Sequence, residues 1–182
     1  MRLHKKLLEA EPYPPSEDTF FLADYIKNAS GKSALDVGTG SGYLANILTT
    51  SFSFVVATDL SFNVLKKRRY PTLNSVCCNG ADALNYKFEL VICNLPYLST
   101  DEIIDVSTDG GKEGLEIPMK IINSVKSRLI PGGKLVYVTS SLSNFKKLID
   151  YTELQGFKVS IVAKKKLFFE ELIIIEAKKL LS

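Results

Sequence analysis

The 182-residue chain is predicted to fold as one α/β domain, a doubly wound sheet of about seven strands with helices on both faces. First, short apolar runs alternate with helical patterns, which is typical of a mostly parallel sheet. Second, a glycine-rich turn, Gly38–Gly42, directly follows the first apolar run. Third, two apolar runs near the carboxyl end have no helical pattern between them, which predicts a hairpin and one antiparallel strand.

The N-terminal part begins with a predicted short helix over 3–10 and an extended, proline-rich segment through Pro15. Ser16 is a good N-cap for a helix over about 17–29, because two acids follow it in the first turn, where the helix dipole favours negative charge. We expect this helix to precede the sheet.

The rest of the chain alternates between strands and helices. Strands are predicted near 33–37, 54–58, 75–78, 89–93, 134–139, 157–163 and 168–177, with helices from the glycine turn to about 49, after a Ser61 cap, over 117–129 and over 143–155. Pro131-Gly132-Gly133 and Lys164–Lys166 are predicted to be turns.

Composition is that of an ordinary globular protein, with 46% hydrophobic and 24% charged residues. The net charge is +3, which is well below the strongly basic balance of a dedicated nucleic-acid-binding protein. Charge alone therefore neither requires nor excludes an RNA or acidic partner.

Three cysteines, Cys77, Cys78 and Cys93, form no CxxC pair and no cluster with histidine. We therefore predict no disulfide framework and no metal site, and a reducing cytoplasm as the location. No apolar run has the length of a signal-peptide core or of the roughly eighteen residues that span a membrane. A soluble protein without membrane contact is the expectation.

The glycine-rich turn indicates a cofactor site in a Rossmann-like sheet. Gly38, Gly40 and Gly42 lie between a strand and a helix, where such folds bind phosphates or cofactors. Tyr43 occupies the place where the dinucleotide pattern has its third glycine. The alternative is a tight strand-to-helix turn without a ligand.

Acidic residues around this turn favour one class of cofactor. Asp36 lies just before the turn, where a carboxylate would repel a pyrophosphate but suits a ligand with an amino group. Asp59 ends the next strand, the expected place for an acid that accepts hydrogen bonds from ribose hydroxyls. Asp82 and the Ala83 N–H are candidates for the adenine ring, although Asp82 could instead be a helix N-cap. Together these residues favour S-adenosylmethionine over a nicotinamide.

The segment Asn94-Leu95-Pro96-Tyr97 follows the fourth strand and contains the candidate catalytic residues. The Asn94 amide oxygen and the Leu95 carbonyl can accept both hydrogens of an –NH₂ group, while Pro96 keeps Leu95 extended and Tyr97 can stack on the planar group. An amide or aromatic amine is a poor nucleophile, so aligning its nitrogen with a sulfonium methyl would be the catalytic task. The alternative is a common Asn-Pro turn.

These segments together resemble class I S-adenosylmethionine-dependent methyltransferases, and more narrowly the HemK-type glutamine methyltransferases of translation release factors. The resemblance is carried by YPPSEDTFFL (13–22), LDVGTGSG (35–42), NLPY (94–97), GGKEGLEI (110–117) and the less specific PGGKLVYV (131–138).

The resemblance implies roles for particular residues. Cofactor contacts are implied for Thr19, Asp36, Gly38, Gly40, Asp59, Asp82, Ala83 and Asn94, and contacts with the acceptor amide for Asn94, Leu95, Pro96 and Tyr97. It also implies one domain over 1–182, with an extension and helix over 1–30 that pack on the cofactor site and a catalytic core over 31–182.

A partner protein is also implied. Eukaryotic and archaeal members of the family's short branch work with a small zinc-binding activator that pairs onto a sheet edge. The uncharged strand at Ser75–Cys78 is the predicted edge for this pairing.

One residue departs from the family pattern and leaves an alternative substrate open. Leu95 stands where the family has proline, and Asn-Leu-Pro-Tyr is similar to the motif of ribosomal RNA adenine dimethylases. The leading interpretation is methyl transfer to a glutamine side-chain amide in a release factor. The alternative is transfer to an exocyclic amine of adenine or guanine in RNA or DNA, with Lys66–Arg69 and Lys164–Lys166 as docking surfaces rather than solvated faces. A nicotinamide oxidoreductase and a non-catalytic scaffold are the remaining readings.

Overall fold

The computed structural model describes residues 10–70, 73–105 and 107–181, so the helix predicted over 3–10 lies outside them except for Ala10. Helices α1 to α5 are Glu17–Ile26, Tyr43–Leu48, Phe62–Lys67, Glu116–Val125 and Phe145–Leu154. Strands β1 to β9 are Gly31–Val37, Phe52–Asp59, Asn74–Cys77, Phe88–Asn94, Leu98–Ser99, Asp109–Gly111, Leu129–Ser140, Phe157–Lys166 and Glu171–Lys179. Short 3₁₀ turns occupy Lys112–Gly114 and Lys126–Arg128.

Seven strands form one sheet in the order β3-β2-β1-β4-β7-β9-β8. Strand β9 is antiparallel to both of its neighbours, and the other pairs are parallel, which confirms the predicted fold class. The strand order reverses between β1 and β4, where Val37 pairs with Cys93. Such a switch point opens a crevice at the carboxyl ends of the strands, where ligands bind in α/β proteins.

Strand β4 shows why its sequence is continuously apolar. Val91 and Cys93 contribute to the core on one face of the sheet, and Leu90 and Ile92 to the core on the other. A central strand covered by helices on both sides needs apolar residues at every position. The same burial holds the carboxyl end of β4 in a fixed place.

Two predicted turns lie inside strands. Lys164–Lys166 belong to β8, and the turn follows at 167–170, where the Leu167 N–H donates to the Glu170 carbonyl at 2.8 Å. Lysines are tolerated there because β8 is an edge strand. Pro131-Gly132-Gly133 form a bulge within β7, since Leu129 and Lys134 pair with residues of β4 only two positions apart.

Some helix ends lie at other residues, or are capped in other ways, than the sequence predicts. Ser16 precedes α1, but its hydroxyl donates to Asp18 Oδ1 at 2.7 Å and does not cap the helix. Helix α1 ends at Ile26 rather than near 29, and α4 ends at Val125 before a 3₁₀ turn. The predicted cap at Ser61 is confirmed, because its hydroxyl accepts from the Val64 N–H at 3.3 Å.

The three cysteines are free thiols, with Cys93 buried and Cys77 exposed. In the described ranges, no group of three or more His, Cys, Asp or Glu side chains is placed to hold a metal ion. Among those same residues, no helix has the length and apolarity needed to cross a membrane.

Candidate active site

The glycine turn between β1 and α2 has the backbone geometry that only glycine adopts easily. The φ angles of Gly38, Gly40 and Gly42 are 70°, 52° and 81°, in the left-handed region. A side chain at Gly40 would meet Tyr13 at 3.3 Å, whereas one at Gly38 would meet nothing within 4 Å. The surface at Gly38 is therefore open, and a ligand can approach its backbone closely.

The Asp36 carboxylate stabilises this turn through hydrogen bonds. Its Oδ2 atom accepts from the Thr39 hydroxyl at 2.7 Å and from the Ala45 N–H at 3.1 Å. Burial raises the pKa of the Asp36 carboxyl from its ordinary value near 3.8 to about 6, against the lowering effect of these two hydrogen bonds. The side chain is 1% exposed, so its first role is to shape the turn.

Asp59 ends β2 beside the turn. Its two oxygens accept from the Gly40 N–H at 3.1 Å and from the Ser61 N–H at 2.9 Å. Burial raises the pKa of Asp59, and hydrogen bonds from backbone N–H groups act in the opposite direction. The structure thus places this acid next to the glycine turn, as the sequence predicts.

Asp82 and Ala83 lie in an exposed turn after β3 and not at a helix N-terminus. The Cys78 N–H donates to the Asp59 carbonyl at 3.0 Å, which brings this segment against the end of β2. The predicted adenine-binding residues therefore follow Asp59, the predicted ribose-binding acid, along the same edge of the sheet. Their contacts with a cofactor stay a prediction.

Asn94 ends β4 at the same edge, and a chain of hydrogen bonds orients its amide. Its Nδ2 donates to the Thr19 hydroxyl at 3.3 Å, and that hydroxyl donates to Asp18 Oδ1 at 3.1 Å. Asn94 Oδ1 is buried and has no hydrogen-bond partner among the residues that the structure describes. A buried acceptor without a partner is costly, so it indicates a place for a donor from a ligand.

A cavity of about 210 Å³ lies beside Asn94. Leu95 and Tyr97 line it together with three carboxylate residues, Glu17, Asp18 and Glu170, and no lysine or arginine is found in its lining within the ranges that the structure describes. Pro96 is buried and does not line the cavity. Three of the four predicted catalytic residues thus meet at one acidic cavity.

Tyr97 is half-buried at this cavity. Burial raises the pKa of its phenol, and the nearby charges of Asp18 and Glu170 raise it further. A hydrogen bond to Asp18 acts in the same direction. The phenol therefore stays neutral and presents an aromatic face and a donor.

Two glycines of the GGKEGLEI segment pack on the backbone of residues 94–97. A side chain at Gly110 would lie 2.6 Å from the Pro96 carbonyl oxygen, and one at Gly114 would collide with the carbonyl of Tyr97. Gly114 also has a φ angle of 69°. These glycines let a second segment lie directly against the candidate catalytic residues, and so fix their backbone.

Sequence reasoning missed Asp18, Tyr13 and Glu170 as site residues. Asp18 and Tyr13 lie in the family-like segment 13–22, and the Tyr13 hydroxyl is 2.9 Å from the Ser16 hydroxyl. Nothing in the sequence marked Glu170, because the hairpin turn that contains it was predicted elsewhere. Thr19, one of the predicted cofactor-binding residues, contacts Asn94; its contact with a cofactor stays a prediction.

The fold and this site define a class I methyltransferase, whose methyl donor is S-adenosylmethionine. Residues 17–169 match the family model of the methyltransferase small domain, and the chain belongs to that family. The residues fit the cofactor, because the open Gly38 backbone, the Asp59 carboxylate and the unpartnered Asn94 Oδ1 lie along one edge of the sheet.

Relatives agree with this assignment over most of the chain. A Methanocaldococcus jannaschii protein provisionally named as a protein N5-glutamine methyltransferase is 30% identical over 189 residues, which cover 97% of this chain and 96% of that one. The release factor glutamine methyltransferase of Bradyrhizobium diazoefficiens is 33% identical over 122 residues, 56% of this chain and 41% of that enzyme.

A solved structure gives the corresponding match in three dimensions. It is the E. cuniculi Mtq2-Trm112 complex, responsible for methylation of the eRF1 translation termination factor. The TM-score is 0.81 at 26% identity, and the match covers 93% of this chain and 99% of that one.

Proposed function

We propose that this chain methylates the side-chain amide nitrogen of a glutamine in a translation release factor. The observation that carries the proposal is the buried Asn94 Oδ1 without a partner, beside an acidic cavity of about 210 Å³. The relatives named above, one from an archaeon, one from a bacterium and one solved with a partner, carry names or activities of the same kind.

The residues divide the work between cofactor and acceptor. S-adenosylmethionine would be held by Gly38, Gly40 and Asp59. Asp36 would support it from behind the turn, and the surrounding contacts would come from Thr19, Asp82, Ala83 and Asn94. The cofactor supplies an electrophilic methyl group on a sulfonium. Asn94 Oδ1 and the Leu95 carbonyl would each accept one hydrogen of the glutamine –NH₂ group.

Two accepted hydrogen bonds fix the plane of the acceptor amide. Increased electron density on its nitrogen, together with alignment toward the methyl carbon, lowers the barrier without a strong base. Methyl transfer to this nitrogen would give an N-methyl amide and S-adenosylhomocysteine, and the nitrogen would lose one proton to water. Tyr97 would stack on the amide, and Pro96 would hold Leu95 extended.

The cavity lining does not suit a nucleic acid. Glu17, Asp18 and Glu170 present carboxylates, and the described residues that line the cavity include no lysine or arginine. A phosphate backbone entering here would meet like charges instead of the cations that nucleic-acid binding needs. Lys165 pairs with Glu17 at 2.6 Å, so these two charges partly offset each other and the negative charge of the lining rests mainly on Asp18 and Glu170.

The test uses purified protein, methyl-labelled S-adenosylmethionine and the release factor of the same host, alongside its glutamine-to-alanine variant at the acceptor position. Label in the release factor, absent from that variant and absent with Asn94→Ala, is the expected result. An undermethylated host extract, divided between protease and nuclease, runs in parallel. Label that nuclease removes would contradict the proposal and favour an exocyclic amine.

A small zinc-binding protein as partner is the second part of the proposal. Strand β3 is an outer strand of the sheet, and exposed apolar side chains lie on or near its neighbour β2: Phe54 within it, Leu60 and Phe62 just after it in sequence, and Tyr86 against Phe54. An edge strand with apolar neighbours can accept an added strand from another chain. In the solved neighbour, the methyltransferase is in complex with Trm112.

Strand addition can be tested at one backbone group. The Cys78 N–H donates to β2, and alternate residues of a parallel ladder bond to the same neighbour, so the Ser75 N–H faces outward. Ser75→Pro should weaken co-purification with the host's small zinc-binding partner, whereas Ser75→Ala should not. Equal recovery of the partner by both variants, or a fully active monomer, would contradict the pairing.

A further inference from the structure

Two phenylalanines at the tip of the β8–β9 hairpin are almost fully exposed. Phe168 is 92% exposed and Phe169 is 85% exposed, the largest fractions among the apolar side chains that the structure describes. Their rings contact each other edge to face, with centroids 4.6 Å apart. Single exposed apolar residues are common, but an adjacent aromatic pair at a turn indicates a contact with another molecule.

The same turn forms one wall of the acidic cavity. Leu167 and Glu170, the residues on either side of the pair, line it together with Asn94 and Tyr97. The aromatic tip therefore lies at the rim of the cavity that holds the candidate catalytic residues.

The turn is held firmly in this position. The Leu167 N–H donates to the Glu170 carbonyl at 2.8 Å, and the Glu170 carboxylate accepts from the Ser140 hydroxyl. The next residue, Glu171, exchanges two hydrogen bonds of 2.9 Å with Ser141. Because β8 and β9 pair on either side of the turn and the end of β7 holds its Glu170–Glu171 side, the aromatic pair projects from a fixed platform.

We infer that Phe168 and Phe169 form the docking element for the protein acceptor, which contacts apolar surface next to the methylated glutamine. This inference rests on the proposed function. An amide that enters the cavity leaves its own main chain and neighbouring side chains over the rim, where the two rings lie. The carboxylates of the wall disfavour a phosphate-rich occupant, and the activator is proposed for β3, at the opposite edge of the sheet.

A comparison of the whole acceptor protein with a short peptide as substrates distinguishes an effect on docking from an effect on methyl transfer. The peptide, centred on the methylated glutamine, reaches the cavity but carries little of the folded surface. Buried aromatic residues dominate many protein interfaces, so removal of both rings should have a large effect on acceptor binding.

The experiment compares the Phe168→Ser/Phe169→Ser variant with wild type on the release factor and on the peptide, each with the partner protein present. We expect KM for the release factor to rise at least about tenfold, with kcat and S-adenosylmethionine affinity unchanged. Turnover of the peptide should not change. The matched control is Leu154→Ser/Leu181→Ser, which removes apolar side chains that are 82% and 81% exposed outside the cavity lining; its KM should equal that of wild type.

An unchanged KM in the aromatic variant would overturn the inference while wild-type turnover upholds the proposed function. No wild-type turnover of the release factor would overturn the proposed function and this inference with it. If wild type forms an assembly of several copies that the aromatic variant does not form, and KM is unchanged, the pair would be assigned to a contact between copies. That result would also overturn the inference.

Discussion

The two ends of strand β4 have opposite properties. At the amino end, Phe88 is fully buried and stacks on Phe54 at 6.4 Å, with the Tyr86 ring 5.0 Å away. At the carboxyl end, Asn94 has a buried acceptor atom without a partner. Seven residues of one strand thus pass from well-packed core to an arrangement that lowers stability.

The difference shows how a fold can maintain a costly site. The packed part of β4 fixes the backbone, and the unsatisfied group at its end is held in place by neighbours that are themselves stable. Active sites of this kind trade stability for function, so substitutions at the two ends should separate the two properties. The predictions below test that separation in decreasing order of expected effect.

Phe88→Ala should have the largest effect, and on stability alone. Loss of a buried aromatic side chain and the cavity left behind lower the free energy of unfolding by about 3–5 kcal/mol. Urea unfolding followed by circular dichroism measures this change. Methyl transfer per folded molecule should match wild type below the unfolding transition. A loss under about 1 kcal/mol would mean that this end of the strand is not the stabilising one.

Asn94→Ala should reverse the pattern. Removal of one of the two proposed acceptors should lower kcat about 10²- to 10³-fold, the effect of deleting a preorganised polar group. The free energy of unfolding should stay the same or rise slightly, because a buried unsatisfied oxygen is removed. Single-turnover methyl transfer and urea unfolding on the same preparation provide both numbers. Wild-type kcat in this variant would remove Asn94 from the chemistry.

Asp36→Asn tests the region between the packed end and the unsatisfied end of β4, since Asp36 of β1 pairs with Ile92 of β4. Burial raises the pKa of Asp36 from about 3.8 to about 6, so the folded state binds this proton more tightly than the unfolded state. The stability of wild type should therefore fall as pH rises from 4 to 7, by roughly 2 kcal/mol from this group, and then level off.

The Asp36→Asn variant should lack that part of the fall. The measurement is the free energy of unfolding of both proteins at pH 4, 5, 6 and 7, and the difference between the two curves isolates Asp36 from other titrating groups. Parallel curves would mean that the carboxyl is not destabilised by burial.

Leu95→Pro should have only a small effect on activity. Only the carbonyl of residue 95 is proposed to contact the acceptor, and proline keeps that group, so kcat should change by less than about tenfold. The Leu95 side chain is buried in the core, so some stability should be lost. Steady-state kinetics with the release factor checks this. A complete loss of activity would show that leucine sets the acceptor class.

Much of the fold follows from the sequence because it depends on periodicity and glycine. The buried strands around Leu35 and Val91 and the turn at Gly38 each carry a local signal. The Lys164–Lys166 turn was wrong because lysines also suit an exposed edge strand, and Pro131-Gly132-Gly133 was wrong as a turn because a bulge uses the same residues. Local sequence does not distinguish these cases.

The site was predictable in part. Asp59 and Asn94 both lie at the carboxyl edge of the sheet, since parallel strands end on one side, and Thr19 of α1 contacts Asn94 there. The orientation of the Asn94 amide could not be predicted, because it depends on a hydrogen bond to Thr19, 75 residues away in sequence, and from Thr19 on to Asp18. Likewise, Glu170 enters the cavity wall only through the pairing of β8 with β9.

The position of β9 between β7 and β8 has a consequence for synthesis of the chain. A chain emerges from the ribosome amino end first, so β8 is available before the strand that joins it to the sheet. Until residues 171–179 have emerged, β7 has an open edge and β8 has no sheet partner. Nascent chains of this protein therefore pass through a stage in which the edge of β7 is open and β8 is unpaired. Lys158 and Lys164–Lys166 place charge on β8, which opposes aggregation at that stage.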